Sequence, residues 1–159
     1  MIYAQPQLSS KTAGFVSMGF GAGYTLGRQW NRQLGTGIGV GYELAATRGQ
    51  FWQVAPIMAS VRWTPLHRLK NQWYFLAESG YGWGNQLINV SGGNYKSHGG
   101  FRFHPAIGMI WNTGKTKKWF TEFGYLRQDI GSIQRFDNSN SFRLNQTLNR
   151  WVIRTGIAF

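Results

Sequence analysis

Period-two alternation, held over runs too long and too regular for a helix, is the feature that most constrains what this chain can fold into. From Val16 the even positions are Val16, Met18, Phe20, Ala22, Tyr24 and Leu26, and the odd positions between them are Ser17, Gly19, Gly21, Gly23 and Thr25. Side chains of a strand point alternately to its two faces, so one face here is apolar and the other nearly bare. After a turn at 29–33 the pattern returns, with Leu34, Ile38, Val40, Tyr42 and Leu44 opposed to Gly35, Gly37, Gly39, Gly41 and Glu43. The two runs read as a hairpin.

Five further runs follow. A third carries Phe51, Ala55, Ile57, Ala59, Val61 and Trp63, and a fourth Trp73, Phe75, Ala77, Tyr81 and Trp83. A fifth reads Phe101, Phe103, Pro105, Ile107, Met109 and Trp111, a sixth Trp119, Phe123 and Tyr125, and the last Trp151, Ile153, Ile157 and Phe159. No stretch approaches the ~18 consecutive apolar residues of a membrane helix. At 159 residues the chain is a single domain, 1–159.

Charge decides which face is inside. Within the seven runs the charged residues are Glu43, Arg62, Glu78, Arg102, Glu122 and Arg154, and all lie opposite the apolar stripe. A soluble barrel turns its apolar residues inward, whereas a membrane barrel turns them to lipid and keeps polar groups in the lumen. Glycines weaken a solvent-facing strand without a packing reason, but a narrow lumen supplies one. The expected fold is therefore all-β, an antiparallel up-and-down transmembrane barrel of about eight strands. Trp63, Trp73, Trp83, Trp111, Trp119 and Trp151 fall on the apolar face, mostly near strand ends, as an interfacial girdle would.

The connections at 29–33, 65–71 and 113–118 are short, and those at 85–100 and 130–147 are long and fall on the opposite side. Bacterial barrels have short periplasmic turns and long outer loops, which puts the C-terminus at the periplasmic side of a Gram-negative outer membrane. Single-chain bacterial barrels also have even strand numbers. An eighth strand must come from 1–9, from a segment upstream or from a partner, and a short strand within 1–9 is the favoured source despite Pro6. Residues 1–6 contain no signal-peptide core, yet Ile2-Tyr3-Ala4-Gln5 would suit the last residues of a cleaved signal.

The ending Trp151-Val152-Ile153-Arg154-Thr155-Gly156-Ile157-Ala158-Phe159 resembles the C-terminal strand read by the barrel assembly machinery, with Phe159 as the assembly signal. Gly21-Ala22-Gly23-Tyr24, Leu34-Gly35-Thr36-Gly37-Ile38-Gly39-Val40-Gly41-Tyr42-Glu43 and His104-Pro105-Ala106-Ile107-Gly108 extend a likeness over most of 15–159. There the chain is similar to an uncharacterised family of small outer-membrane β-barrel proteins of the Bacteroidota. That resemblance implies fold and membrane, with no activity to carry over.

Glu43, Glu78 and Glu122 with Arg62, Arg102 and Arg154 are expected to pair as a lumenal network that also holds His104, because a lone buried charge is expensive. Glu122 and Arg154 sit at similar distances from the periplasmic rim on neighbouring strands, which predicts a salt bridge of ~4 Å. Zero cysteines exclude disulfides and thiolate sites. Three scattered histidines with no paired acidic cluster give no dedicated metal site, and glycines that precede no helix or GK[ST] give no phosphate loop, so no cofactor is expected.

The expected function is that of a non-enzymatic outer-membrane barrel, either a structural element or an accessory subunit of a larger envelope complex. A lipid A or phospholipid modifying enzyme is the first alternative, with His104 as base and Ser97, Ser139 or Ser141 as nominal nucleophile. A soluble ligand-binding barrel is the second. The net charge of +12 is concentrated in connections, at Arg28, Arg32, Arg68, Lys70, Lys115, Lys117 and Lys118, where it suits lipid phosphates or lipopolysaccharide. No nucleic-acid role is expected, since lipid accounts for the aromatic face.

Overall fold

The computed structural model describes residues 2–8, 18–47, 50–65, 71–86, 94–112, 117–136 and 140–158. Every alternating run is a strand: β1 (Ile2–Leu8), β2 (Met18–Gln29), β3 (Leu34–Thr47), β4 (Gln50–Trp63) and β5 (Asn71–Gln86). These are followed by β6 (Asn94–His98), β7 (Gly100–Asn112), β8 (Lys118–Phe136) and β9 (Asn140–Ala158). Each pairing is antiparallel. The eight main strands follow one another around the sheet as β1, β2, β3, β4, β5, β7, β8 and β9, while β6 pairs with β8 to one side.

The eighth strand is the short β1. It pairs with β2 over its whole length, Ile2↔Tyr24 to Leu8↔Met18, and with β9 at Ile2↔Ile157 to Ala4↔Thr155 and again at Gln7↔Val152 and Leu8↔Trp151. Because β9 also pairs with β8, β1 links the two ends of the sheet. The break in the β9 ladder falls at Gln5 and Pro6, where proline has no N–H to donate.

Two expected long connections are largely strand. Where 130–147 reads as a loop, β8 continues to Phe136 and β9 starts at Asn140, with the ladder unbroken from Ile130↔Gln146 to Phe136↔Asn140. Where 85–100 reads as a loop, β5 reaches Gln86 and β6 lies along β8 with Tyr95 opposite Gln134. Asn, Ser and Gly in 85–100 and Asn, Ser and Arg in 130–147 obscure the alternation, and cross-strand hydrogen bonding supplies what local propensity lacks. The short turn after β2 behaves as its residues dictate: Asn31 Oδ1 accepts the backbone N–H groups of Gln33 (2.8 Å) and Leu34 (2.7 Å), an Asx-type closure.

Apolar side chains face outward, with Phe20, Ile38, Ile57, Trp83 and Phe101 each at least half exposed. The soluble-barrel alternative requires the opposite arrangement and is thereby overturned. Along β5 the outward tryptophans Trp73 and Trp83 are ten residues apart, ~33 Å of strand. At the usual tilt of a membrane barrel that spans about 25 Å, the height of its apolar band.

The interior is layered. Ala45, Trp52, Ile130 and Leu148 form an apolar cluster at the end bearing the long connections. Met58, Tyr74, Ile110 and Phe120 form another toward the short turns, with Leu76 and Ala158 packed against it. Charged groups occupy the space between.

Candidate functional site

Parity places the lumenal charges, and barrel curvature chooses their partners. Glu43 on β3, Glu78 on β5, Arg102 and His104 on β7, Glu122 on β8 and Arg154 on β9 are all buried, each at 4% exposure or less. In so dry a setting each needs a partner of opposite charge or a hydrogen bond.

The network has two centres. In the first, Arg102 engages both oxygens of Glu43, with Nη1 donating to Oε2 at 2.9 Å and Nη2 meeting Oε1. Arg150 Nη2 donates to the same Oε2 at 2.6 Å, so one carboxylate answers two guanidiniums. Gln128 helps hold Arg102, accepting from its Nη1 at 3.4 Å, while its own Nε2 donates to the carbonyl of Asp129 at 2.8 Å.

The second centre has the reverse balance, two carboxylates around Arg154. Arg154 Nη1 donates to Glu78 Oε2 and lies 3.8 Å from Glu122 Oε2. His104 stands directly across the β5–β7 ladder from Glu78, its Nδ1 3.1 Å from the same Oε2. A carboxylate only accepts, so Nδ1 carries the proton in that bond. Tyr74 donates its hydroxyl to Glu122 Oε1 at 2.7 Å. Glu122 and Arg154 are ladder neighbours, yet the tighter partner of Arg154 is Glu78, reached across the lumen.

Arg62 on β4 is half-buried and stands apart from these centres. Its Nη2 donates to Gln29 Oε1 at 3.1 Å, and its guanidinium carbon lies 5.7 Å from the centre of the Tyr74 ring. Among the described residues it forms no ion pair.

Close approach explains two inward glycines. A Cβ on Gly108 would lie 2.3 Å from Cζ of Tyr74, and one on Gly124 would lie 2.6 Å from His104 Nε2. The bare faces of β7 and β8 thus admit the ring of Tyr74 and the imidazole. They also cover Nε2, which is buried and without a hydrogen-bond partner. No described hydroxyl bonds to His104. Ser97 lies on β6, while Ser139 and the side chain of Ser141 fall outside the described residues.

A cavity of about 210 Å³ opens beside the second centre at the short-turn end. Its floor is Glu78, Glu122 and Arg154, its mouth has Gln29 and Arg62, and the bare positions Gly27 and Gly37 form one wall.

Sequence reading missed three members of the network: Arg150, Tyr74 and Gln128. Arg150 precedes the run that reads as the last strand, but counting back by two from Arg154 through Val152 reaches it. Gln128 likewise continues the inward parity of Glu122, Gly124 and Leu126. The outward tryptophans Trp63, Trp73, Trp83, Trp119 and Trp151 are 43–53% exposed and Trp111 is half-buried. Trp63 stacks on Phe75 at one rim, and Trp151 stacks on Phe123 at 5.2 Å between centroids. Phe159 lies outside the described residues.

No described protein family and no curated protein matches the chain. Solved structures do. The outer membrane protein OprG from Pseudomonas aeruginosa superposes with a TM-score of 0.71 at 12% identity, covering 98% of this chain and 92% of that one. A major outer membrane protein from Thermus thermophilus superposes with a TM-score of 0.53, also at 12% identity, covering 98% and 95%. At such identity the likeness is one of fold, and the fold is that of small outer-membrane β-barrels.

Proposed function

We propose that this chain is a non-enzymatic outer-membrane barrel of a Gram-negative bacterium, serving as an accessory subunit of a larger envelope complex or as a structural element of the membrane. The observation that carries this reading is the filled lumen. Trp52, Ile130 and Leu148 occupy one end, and below them Glu43 is locked between Arg102 and Arg150. A barrel filled this way has traded a conduit for rigidity. The C-terminus faces the periplasm, the rim cations meet lipid phosphate or lipopolysaccharide, and the terminal strand is read by the barrel assembly machinery during insertion. Kinship with the Bacteroidota family belongs to the same reading.

The enzymatic alternative has less support, because Nε2 of His104 faces Gly124 and, among the described residues, bonds to no hydroxyl. Affinity purification of the full chain from native envelopes in mild detergent tests the accessory role. A stoichiometric envelope protein is expected to copurify through several detergents. Recovery of the barrel alone, with no partner after cross-linking in intact cells, would leave the structural role and remove the accessory one.

A further inference from the structure

The cavity at the short-turn end is lined by a cation at its mouth and by two acidic side chains at its floor. At the mouth, Arg62 carries five N–H donors; its described contacts are one hydrogen bond, to Gln29, and the face of Tyr74. At the floor the balance is acidic. Arg154 and His104 both bond Oε2 of Glu78, and Oε2 of Glu122 is 3.8 Å from Arg154, too far for a hydrogen bond. Two carboxylates there face a single guanidinium.

We propose that this cavity binds a small organic acid bearing a hydroxyl or ammonium group a few bonds from its carboxylate, with the carboxylate on Arg62 and the donor end on Glu78 and Glu122. A simple anion could satisfy only the mouth and would be repelled by the floor. A simple cation would have to pass Arg62 and a rim that also carries Arg28 and Lys118. The walls suit a short chain between the two groups. Gly27 and Gly37 line one side with backbone alone, Ser60 offers a hydroxyl, and Leu76 and Ala158 present apolar surface to methylenes. An apolar cavity of about 150 Å³ accepts a benzene ring, so this one holds a molecule of roughly eight non-hydrogen atoms. The inference is independent of the accessory role, since it concerns only the lumen.

Calorimetric titration of the full chain, folded in detergent micelles, distinguishes the possibilities with four probes: 4-aminobutyrate, 4-hydroxybutyrate, butyrate and butylamine, at matched ionic strength. The two bifunctional probes should bind saturably, and the two monofunctional ones at least about tenfold more weakly, the cost of losing one charge-assisted contact. Arg62→Gln should weaken the bifunctional probes about tenfold or more and should not weaken butylamine, which it relieves of a like charge at the mouth. Ser60→Leu fills the cavity while leaving every charge in place, and it should abolish binding even if Arg62→Gln fails to fold. Equal binding of butyrate and 4-hydroxybutyrate would overturn the proposal, as would absence of saturable binding or normal binding by the Ser60→Leu protein.

Discussion

Arg102 on β7 grips Glu43 on β3 across the lumen with both terminal guanidinium nitrogens, although 59 residues separate them in sequence. Strand pairing does not bring them together, since β7 is bonded to β5 and β8 and β3 to β2 and β4. The pair is a brace spanning the barrel, and Arg150 reinforces it from β9. Glu43→Ala would strand two buried guanidiniums at once. The expected loss is about 3–5 kcal/mol in reversible urea unfolding from phospholipid vesicles. A change under about 1 kcal/mol would mean that the brace is not formed.

Arg154 and Glu122 are neighbours in the β8–β9 ladder, but they should not be equal in consequence. Removing Arg154 leaves Glu78 and Glu122 buried with no guanidinium between them, whereas Glu122→Gln keeps a hydrogen-bond acceptor for the Tyr74 hydroxyl. Arg154→Met is expected to cost about 3–5 kcal/mol and Glu122→Gln about 1 kcal/mol or less. In double-mutant cycles the coupling of Arg154 to Glu78 should exceed its coupling to Glu122. The reverse order would place the guanidinium nearer β8.

Gly108 is a packing requirement of Tyr74, because the nearest ring atom would sit 2.3 Å from an added Cβ. Gly108→Ala should therefore destabilise by about 1–3 kcal/mol through overpacking. Tyr74→Leu removes the obstructing end of the ring, so the double variant should be less unstable than the sum of the two single variants. Strict additivity in heat-modified electrophoretic mobility and urea unfolding would disprove the contact.

What the sequence discloses and what it withholds divide along a physical line. The face occupied by a residue follows from parity within its strand, and parity is local: Glu43, Arg102 and Arg154 are inward because each alternates with apolar neighbours. Which inward residues meet depends on barrel closure and stagger, so the Arg102 contact to Glu43 could not be read from either segment. Ladder register is intermediate in this respect. Similar distance from one rim sets Glu122 opposite Arg154, yet the curvature that presents Glu78 to the same guanidinium is a property of the whole sheet. Strand ends are the other weak point. Arg150 lay beyond the apparent start of β9 only because polar residues from Asn140 onward hide a strand whose hydrogen bonds come from β8.

The outward face carries the remaining prediction, which separates a membrane barrel from any soluble one. Ile38 is 67% exposed and pairs with Ala59, itself opposite Ser79, about midway between the outward Trp73 and Trp83 of β5. That position corresponds to the middle of the apolar band, where an arginine on the lipid face costs about 2–4 kcal/mol. Trp63, at the short-turn rim beside Phe75, lies where the same charge costs about 0–1 kcal/mol. Ile38→Arg should accordingly lower stability in phospholipid vesicles by far more than the charge introduced by Trp63→Arg, whose cost is the lost stacking on Phe75. In water an exposed arginine at either place would be nearly neutral. Equal, small effects of Ile38→Arg and Trp63→Arg in vesicles would show that the apolar face does not meet lipid.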